Sequence, residues 1–226
     1  MADESTCAEL VRDRDRDRYL ATLYAPAAVR EGLFALHALD LELAEVVRTT
    51  SEPMLGQIRL AWWREQLQGL DAGARPAQPV LAALAEHVLP AGVRGASLEP
   101  LEDAALALLD DDVAAHAEAR AILFEAGVRL LVPDAGAGLT ERARRVGKGW
   151  TIVDVARSGR PIAPELLAEA DRLLAPERPP STARPLLALA SLARADLAEL
   201  RSARLPGPRG TPGRQARLLW SIVTGQ

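Results

Sequence analysis

Leu33-Phe34-Ala35-Leu36-His37-Ala38-Leu39, followed by Glu42-Leu43-Ala44-Glu45-Val46, is the stretch on which the reading of the fold turns. Leu33, Leu36, Leu43 and Val47 recur at the spacing of one helix face, and no strand-like alternation interrupts them. Upstream, Pro26 divides the segment, which predicts a short helix to Tyr24 and a longer one from Ala27, because Pro is favoured near helix starts. Downstream, Ser51-Glu52-Pro53 opens another helix with Pro at its first position. Met54, Leu55, Ile58, Trp62 and Leu67 are predicted to share its apolar face, and the helix to end near Gly69.

The rest of the chain repeats this pattern. Helices are predicted over Val80 to Leu89, Leu98 to Leu109 with Ser97 as cap, Val113 to Leu131, Glu141 to Ala156 after Thr140, Pro164 to Leu174, Ala183 to Ala203, and Arg214 to Val223. Gly- and Pro-rich loops at Asp71 to Gln78, Asp134 to Gly138, Ala175 to Pro180 and Pro206 to Gly213 separate them. Ala and Leu dominate while Phe, Tyr and Ile are scarce, a composition that favours helix over strand. With 226 residues, 49% of them hydrophobic, the chain can bury a substantial core. The prediction is a single all-α domain over 1–226, a helical bundle with residues 1–13 flexible.

Several function classes are excluded. The net charge of −4 is spread along the chain and gives no basic stripe for a nucleic acid. Cys7 stands alone, so no disulfide framework is expected, and a cytoplasmic location fits. No run approaches the roughly 20 apolar residues that span a bilayer, so the expectation is no transmembrane segment. His37, His87 and His116 lack partners at metal-ligand spacing and read as surface or core residues. Asp110-Asp111-Asp112 reads as helix capping, since consecutive helical residues do not share a face. Gly147 and Gly149 read as points of close helix approach, and the run Arg12 to Arg18 as a solvated, self-neutralising segment.

One segment is more specific. Asp17-Arg18-Tyr19-Leu20-Ala21, Leu33 to Leu39, Glu42 to Val46, Ser51 to Gly56 and Arg59-Leu60-Ala61-Trp62-Trp63-Arg64 follow in order. Together they resemble the squalene/phytoene synthase family, in particular a degenerate branch similar to a mitochondrial complex I assembly factor. A weaker likeness continues through His116-Ala117-Glu118 and from Val146 to Leu167. The resemblance implies a bundle of the isoprenoid synthase type.

It also implies a chemistry, the joining of two prenyl diphosphates, in which paired Asp residues on two helices hold Mg²⁺ against the phosphates. At the first of these motifs this chain has Ala44-Glu45-Val46-Val47-Arg48, so that Glu42, Glu45 and Arg48 form a vestigial motif. At the second it has only Asp154 before Ser158-Gly159-Arg160, with the acidic loop missing. Catalytic and metal-binding residues are therefore expected to be absent, and no cofactor is needed. Tyr19, Glu52, Arg59, Trp62 and Trp63 remain as a candidate pocket or interface, with Trp62 read as core and Trp63 as part-buried.

The expected role is binding or assembly, by family likeness with protein partners of respiratory complex I, in the cytoplasm or peripheral to the inner membrane. Two alternatives stay open: a prenyl transferase using Mg²⁺ with Glu42, Glu45 and Asp154, and a carrier of an isoprenoid or lipid.

Overall fold

In the computed structural model, which describes residues 5–226, the chain is all-α, and the described residues contain no strand. Ser5 caps α1 (Thr6–Arg14) by accepting from the Ala8 N–H, and Asp15 caps α2 (Arg16–Leu23) by accepting from the Arg18 N–H. Pro26 then starts α3 (Ala27–Thr49), and α4 (Pro53–Asp71) carries its Pro at the first helical position. α5 (Pro79–His87), a 3-10 turn at Gly95–Leu98, α6 (Pro100–Leu109), α7 (Val113–Arg120) and α8 (Ile122–Leu131) follow. The chain closes with α9 (Ala137–Arg157), α10 (Pro164–Leu173), the short α11 (Arg184–Leu187), α12 (Leu189–Arg201) and α13 (Pro212–Thr224).

The two longest helices, α3 and α9, organise the bundle. α3 packs against α1, α5, α6 and α8, while α9 packs against α7, α8, α10 and α12. A contiguous hydrophobic cluster runs from Val11 through Leu39, Leu67, Phe124 and Ile152 to Leu197 and Leu218. Gly147 and Gly149 of α9 allow close approach, as their sequence context predicts. A Cβ on Gly147 would meet the Phe124 ring at 3.0 Å, and one on Gly149 would meet Leu174 at 2.8 Å. No helix among the described residues is long and apolar enough to cross a membrane.

Four expectations need correction. Residues 6–13, predicted to be flexible, belong to α1, which buries Cys7, Ala8 and Val11 against α3 and α5; residues 1–4 lie outside the described residues. The predicted helices Val113 to Leu131 and Ala183 to Ala203 are each broken in two, at Ala121 and Ala188. The start of α9 lies at Ala137 with Gly136 as its cap residue, ahead of Thr140.

The fourth correction concerns α4, whose predicted apolar face is turned outward. Met54, Leu55 and Ile58 are exposed and Trp62 is 43% exposed, while Trp63 is 6% exposed. The buried stripe is Gly56, Leu60, Trp63, Leu67 and Leu70. Both stripes of α4 are apolar at helical spacing, and the choice falls to Gly56, where α4 comes close to Thr50 and Leu109.

At its other end α4 is pinned by Gly95. The Asp71 carboxylate accepts from the N–H groups of Gly95 at 2.7 Å and Ala96 at 2.9 Å. A Cβ on Gly95 would lie 2.0 Å from the Leu67 carbonyl oxygen, so the backbone would have to shift. Gly95→Ala is expected to lower the unfolding free energy by about 1–3 kcal/mol. Gly138→Ala, with open space around it, should not. Urea titrations of the two variants check the contrast.

Candidate functional site

A cavity of about 280 Å³ lies between α3, α6, α7 and α9. Its walls are apolar: Leu43, Ala44 and Val47 of α3, Leu101, Ala104, Ala105 and Leu108 of α6, and Val155 of α9. Asp40, His116, Arg120 and Asp154 also line it, as do Arg48, Ser158 and Arg160. Thus Ala44 and Arg48 of the first vestigial motif face the same space as Asp154 and Ser158 of the second.

Asp40, Arg120 and Asp154 beside the cavity belong to a closed cycle of ion pairs. Asp15 bonds Arg18 at 2.7 Å, and Arg18 bonds Asp40 at 2.6 Å. Asp40 takes two bonds from Arg120, at 2.6 and 2.7 Å. Arg120 reaches across to Asp154 at 2.8 Å, so one guanidinium ties α3 to α9. Arg209 then closes the cycle by pairing with both Asp154 and Asp15. Three carboxylates thus alternate with three guanidinium groups, and Arg18 and Arg120 both lie over the Trp150 ring, at 5.3 and 4.8 Å from its centroid. A neighbouring chain of pairs runs from Asp17 through Arg214 and Asp196 to Arg157.

Burial alone would raise the pKa of Asp40, but Arg120 and Arg18 outweigh it and hold the carboxyl well below the usual range. Asp154 is depressed in the same way, burial being overcome by Arg209 and Arg120. Both therefore carry their charge at neutral pH. Arg120 is buried too, yet its pKa is raised because Asp40 and Asp154 stabilise the cation. The histidines respond in the other direction. Burial, aided by Arg18, lowers His37 to about 3, and burial, aided by Arg120, lowers His116 to about 4.

The residues singled out from the sequence are scattered. Glu42 and Glu45 do not line the cavity; both sit near Arg14, at 3.5 and 3.7 Å, and Glu45 also binds Arg48. Tyr19 stacks on Phe34 with centroids 5.5 Å apart. Glu52 precedes α4 and is exposed, and Arg59 bonds the Thr49 hydroxyl at 3.2 Å. None of Tyr19, Glu52, Arg59, Trp62 and Trp63 lines the cavity. The five were read as a pocket or an interface, and they lie apart from this cavity. Glu52, Arg59 and Trp62 share the outer surface of α4, whereas Trp63 is core.

The sequence reading missed Asp15, Arg18, Asp40, Arg120 and Arg209. The run Arg12 to Arg18 is not wholly solvated, since Asp15, Asp17 and Arg18 are each at most 3% exposed. A signal was present in α3, where Asp40 stands between Leu36 and Leu43 on the apolar face.

Mg²⁺ needs several free oxygen ligands, and the donor set here does not supply them. The described residues contain no group of three His, Cys, Asp or Glu arranged for a metal ion. Asp40 and Asp154 are already bonded to guanidinium groups, and the other motif positions on the cavity wall are Ala44, Val47, Arg48, Val155 and Ser158.

Comparison with known proteins bears on this arrangement. In structure, the chain is similar to a dehydrosqualene synthase crystallised with a ligand, with a TM-score of 0.72 at 16% identity, over 97% of this chain and 94% of that one. The likeness establishes the all-α isoprenoid synthase fold. In sequence, it is 38% identical over 78 residues to NADH dehydrogenase (ubiquinone) complex I, assembly factor 6 of Homo sapiens, covering 34% of this chain and 23% of that protein. The homolog from Drosophila melanogaster is 34% identical over 62 residues, or 27% of this chain and 19% of that protein. The match thus spans at most about a quarter of the length of these curated relatives. The profile of the squalene/phytoene synthase family matches residues 11–160, a span that holds α2 to α9 and every wall of the cavity. On that match the chain belongs to the squalene/phytoene synthase family.

Proposed function

We propose that this chain is a non-catalytic member of its family that acts by binding, in the assembly of respiratory complex I. The observation that carries the reading is the closed cycle. Asp40 and Asp154, the carboxylates on the cavity wall, are each bonded to two arginines. Diphosphate ionisation needs a cation poised to take the leaving charge, and here the guanidinium groups beside the cavity are already neutralised. The assembly role is supported by the name of the human and fly relatives. The reading places the protein in the cytoplasm, held at the inner membrane through its partners.

Its contact surface is proposed to be the outer face of α4, where Met54, Leu55, Ile58 and Trp62 lie exposed beside Glu52 and Arg59. Aromatic and Arg side chains are the usual anchors of such contacts. A pull-down from native membranes should recover complex I subunits or assembly intermediates, and Met54→Asp combined with Trp62→Glu should lose them. Recovery of none by the unaltered protein would sink the proposal.

The catalytic half has its own test. Purified protein incubated with farnesyl or geranylgeranyl diphosphate and Mg²⁺ is expected to release no diphosphate above the rate in buffer. Mg²⁺-dependent release that Glu45→Ala or Asp154→Asn abolishes would instead establish a prenyl transferase with diverged acids.

A further inference from the structure

His116 is 6% exposed and lines the cavity. Its Nδ1 lies 2.7 Å from the Ala104 carbonyl oxygen. A carbonyl can only accept, so Nδ1 carries the proton, and in a neutral ring Nε2 is then an acceptor. Nε2 bonds to none of the described residues, yet it is not among the occluded, unpartnered atoms such as His37 Nδ1. The ring it belongs to forms part of the cavity wall. Burial and Arg120 keep the ring neutral, with its pKa lowered to about 4.

The rest of the cavity is electrically closed. Asp40, Arg120 and Asp154 satisfy one another. At the rim Arg48 is paired with Glu45, and Arg160 with Asp111 and the Leu108 carbonyl. An anionic head group meets no unpaired guanidinium on these walls, and an ammonium meets no unpaired carboxylate. What remains is an apolar chamber in which His116 Nε2 is the neutral acceptor on a buried side chain, while the exposed Ser158 hydroxyl donates to the Val155 carbonyl. Its volume is near the lower end of small-molecule sites, about 300 Å³, which suits one medium-length tail.

We infer that the cavity binds an uncharged, apolar molecule bearing a hydroxyl group, the hydroxyl donating to His116 Nε2 and the tail lying among Leu43, Val47, Leu101 and Leu108. The inference rests on the reading of the site as one without bound metal. It is independent of the partner in assembly.

The test is a calorimetric titration of the full chain with decanol, decanoate and decyl phosphate, which share a tail and differ in head group, each with and without Mg²⁺. Decanol is expected to bind at least tenfold more tightly than either anion, with no effect of Mg²⁺. His116→Phe should weaken decanol by up to about tenfold, the worth of one hydrogen bond. His116→Gln, which restores an acceptor, should recover most of that loss, and Ala105→Phe, which fills the chamber, should abolish binding while the protein stays folded by circular dichroism. Equal or tighter binding of an anion, full decanol affinity in His116→Phe, or no binding of decanol would each overturn the inference. A gain for decyl phosphate that requires Mg²⁺ would overturn the metal-free reading of the site as well.

Discussion

Arg120→Met should lower the unfolding free energy by about 3–5 kcal/mol, the usual consequence of leaving buried charges without a partner. Arg120 supplies three of the bonds in the cycle, two to Asp40 and one to Asp154, and it is 6% exposed. Met keeps much of the volume and the packing against Trp150, so the loss reports the charge. Asp40 keeps Arg18 and Asp154 keeps Arg209, which sets the upper limit. Asp154→Asn in the Arg120→Met background should return part of the stability, because one of the stranded charges is then removed. The check is the urea midpoint at constant slope; a loss under about 1 kcal/mol would mean that solvent or rearrangement replaces the missing guanidinium.

The second large effect is a loss of stability that begins well above the carboxylate range. His37 and His116 are neutral in the folded chain, with pKa values lowered from 6.5 to about 3 and about 4. Below pH 6.5 the unfolded chain takes up protons that the folded one refuses, so stability falls as pH falls. Each group costs about 1.4 kcal/mol per pH unit in this window, so the pair should remove about 4 kcal/mol between pH 7.5 and pH 5. Asp40 and Asp154 are depressed as well, so the stability they contribute is present above about pH 4 and lost only below it. His37→Phe should flatten roughly half of the upper limb in urea titrations at pH 7.5, 6 and 5. A flat profile from pH 7.5 to 5 would show that both histidines are protonated without cost.

The helices themselves were readable because each carries a local sign: Pro26 before α3, Pro53 opening α4, Gly-rich breaks around α9. The outward turn of α4 was not, since Met54-Leu55-Ile58-Trp62 and Leu60-Trp63-Leu67 are both apolar stripes and only packing at Gly56 chooses between them. The break at Ala121 also has no marker, Ala being the best of helix formers. Of the candidate site, the two motif segments could be located, and the structure brings Ala44, Arg48, Asp154 and Ser158 to one cavity. Their partners could not be found from spacing, because Arg120 lies 80 residues from Asp40 and Arg209 lies 55 from Asp154. Long-range charge pairing leaves no period in a sequence; Asp40 on an apolar face was the one visible trace.

The cycle that neutralises the centre of the bundle also orders its assembly in time. Asp15 waits for Arg209, 194 positions later, and Asp17 for Arg214, 197 positions later. Contacts of such separation are slow to form, because the closure of a long loop must precede the gain. During synthesis the N-terminal helices would hold buried carboxylates with half their counter-charges still on the ribosome. Asp15 and Asp17 therefore gain their full set of native partners only once residues 209–214 have been made.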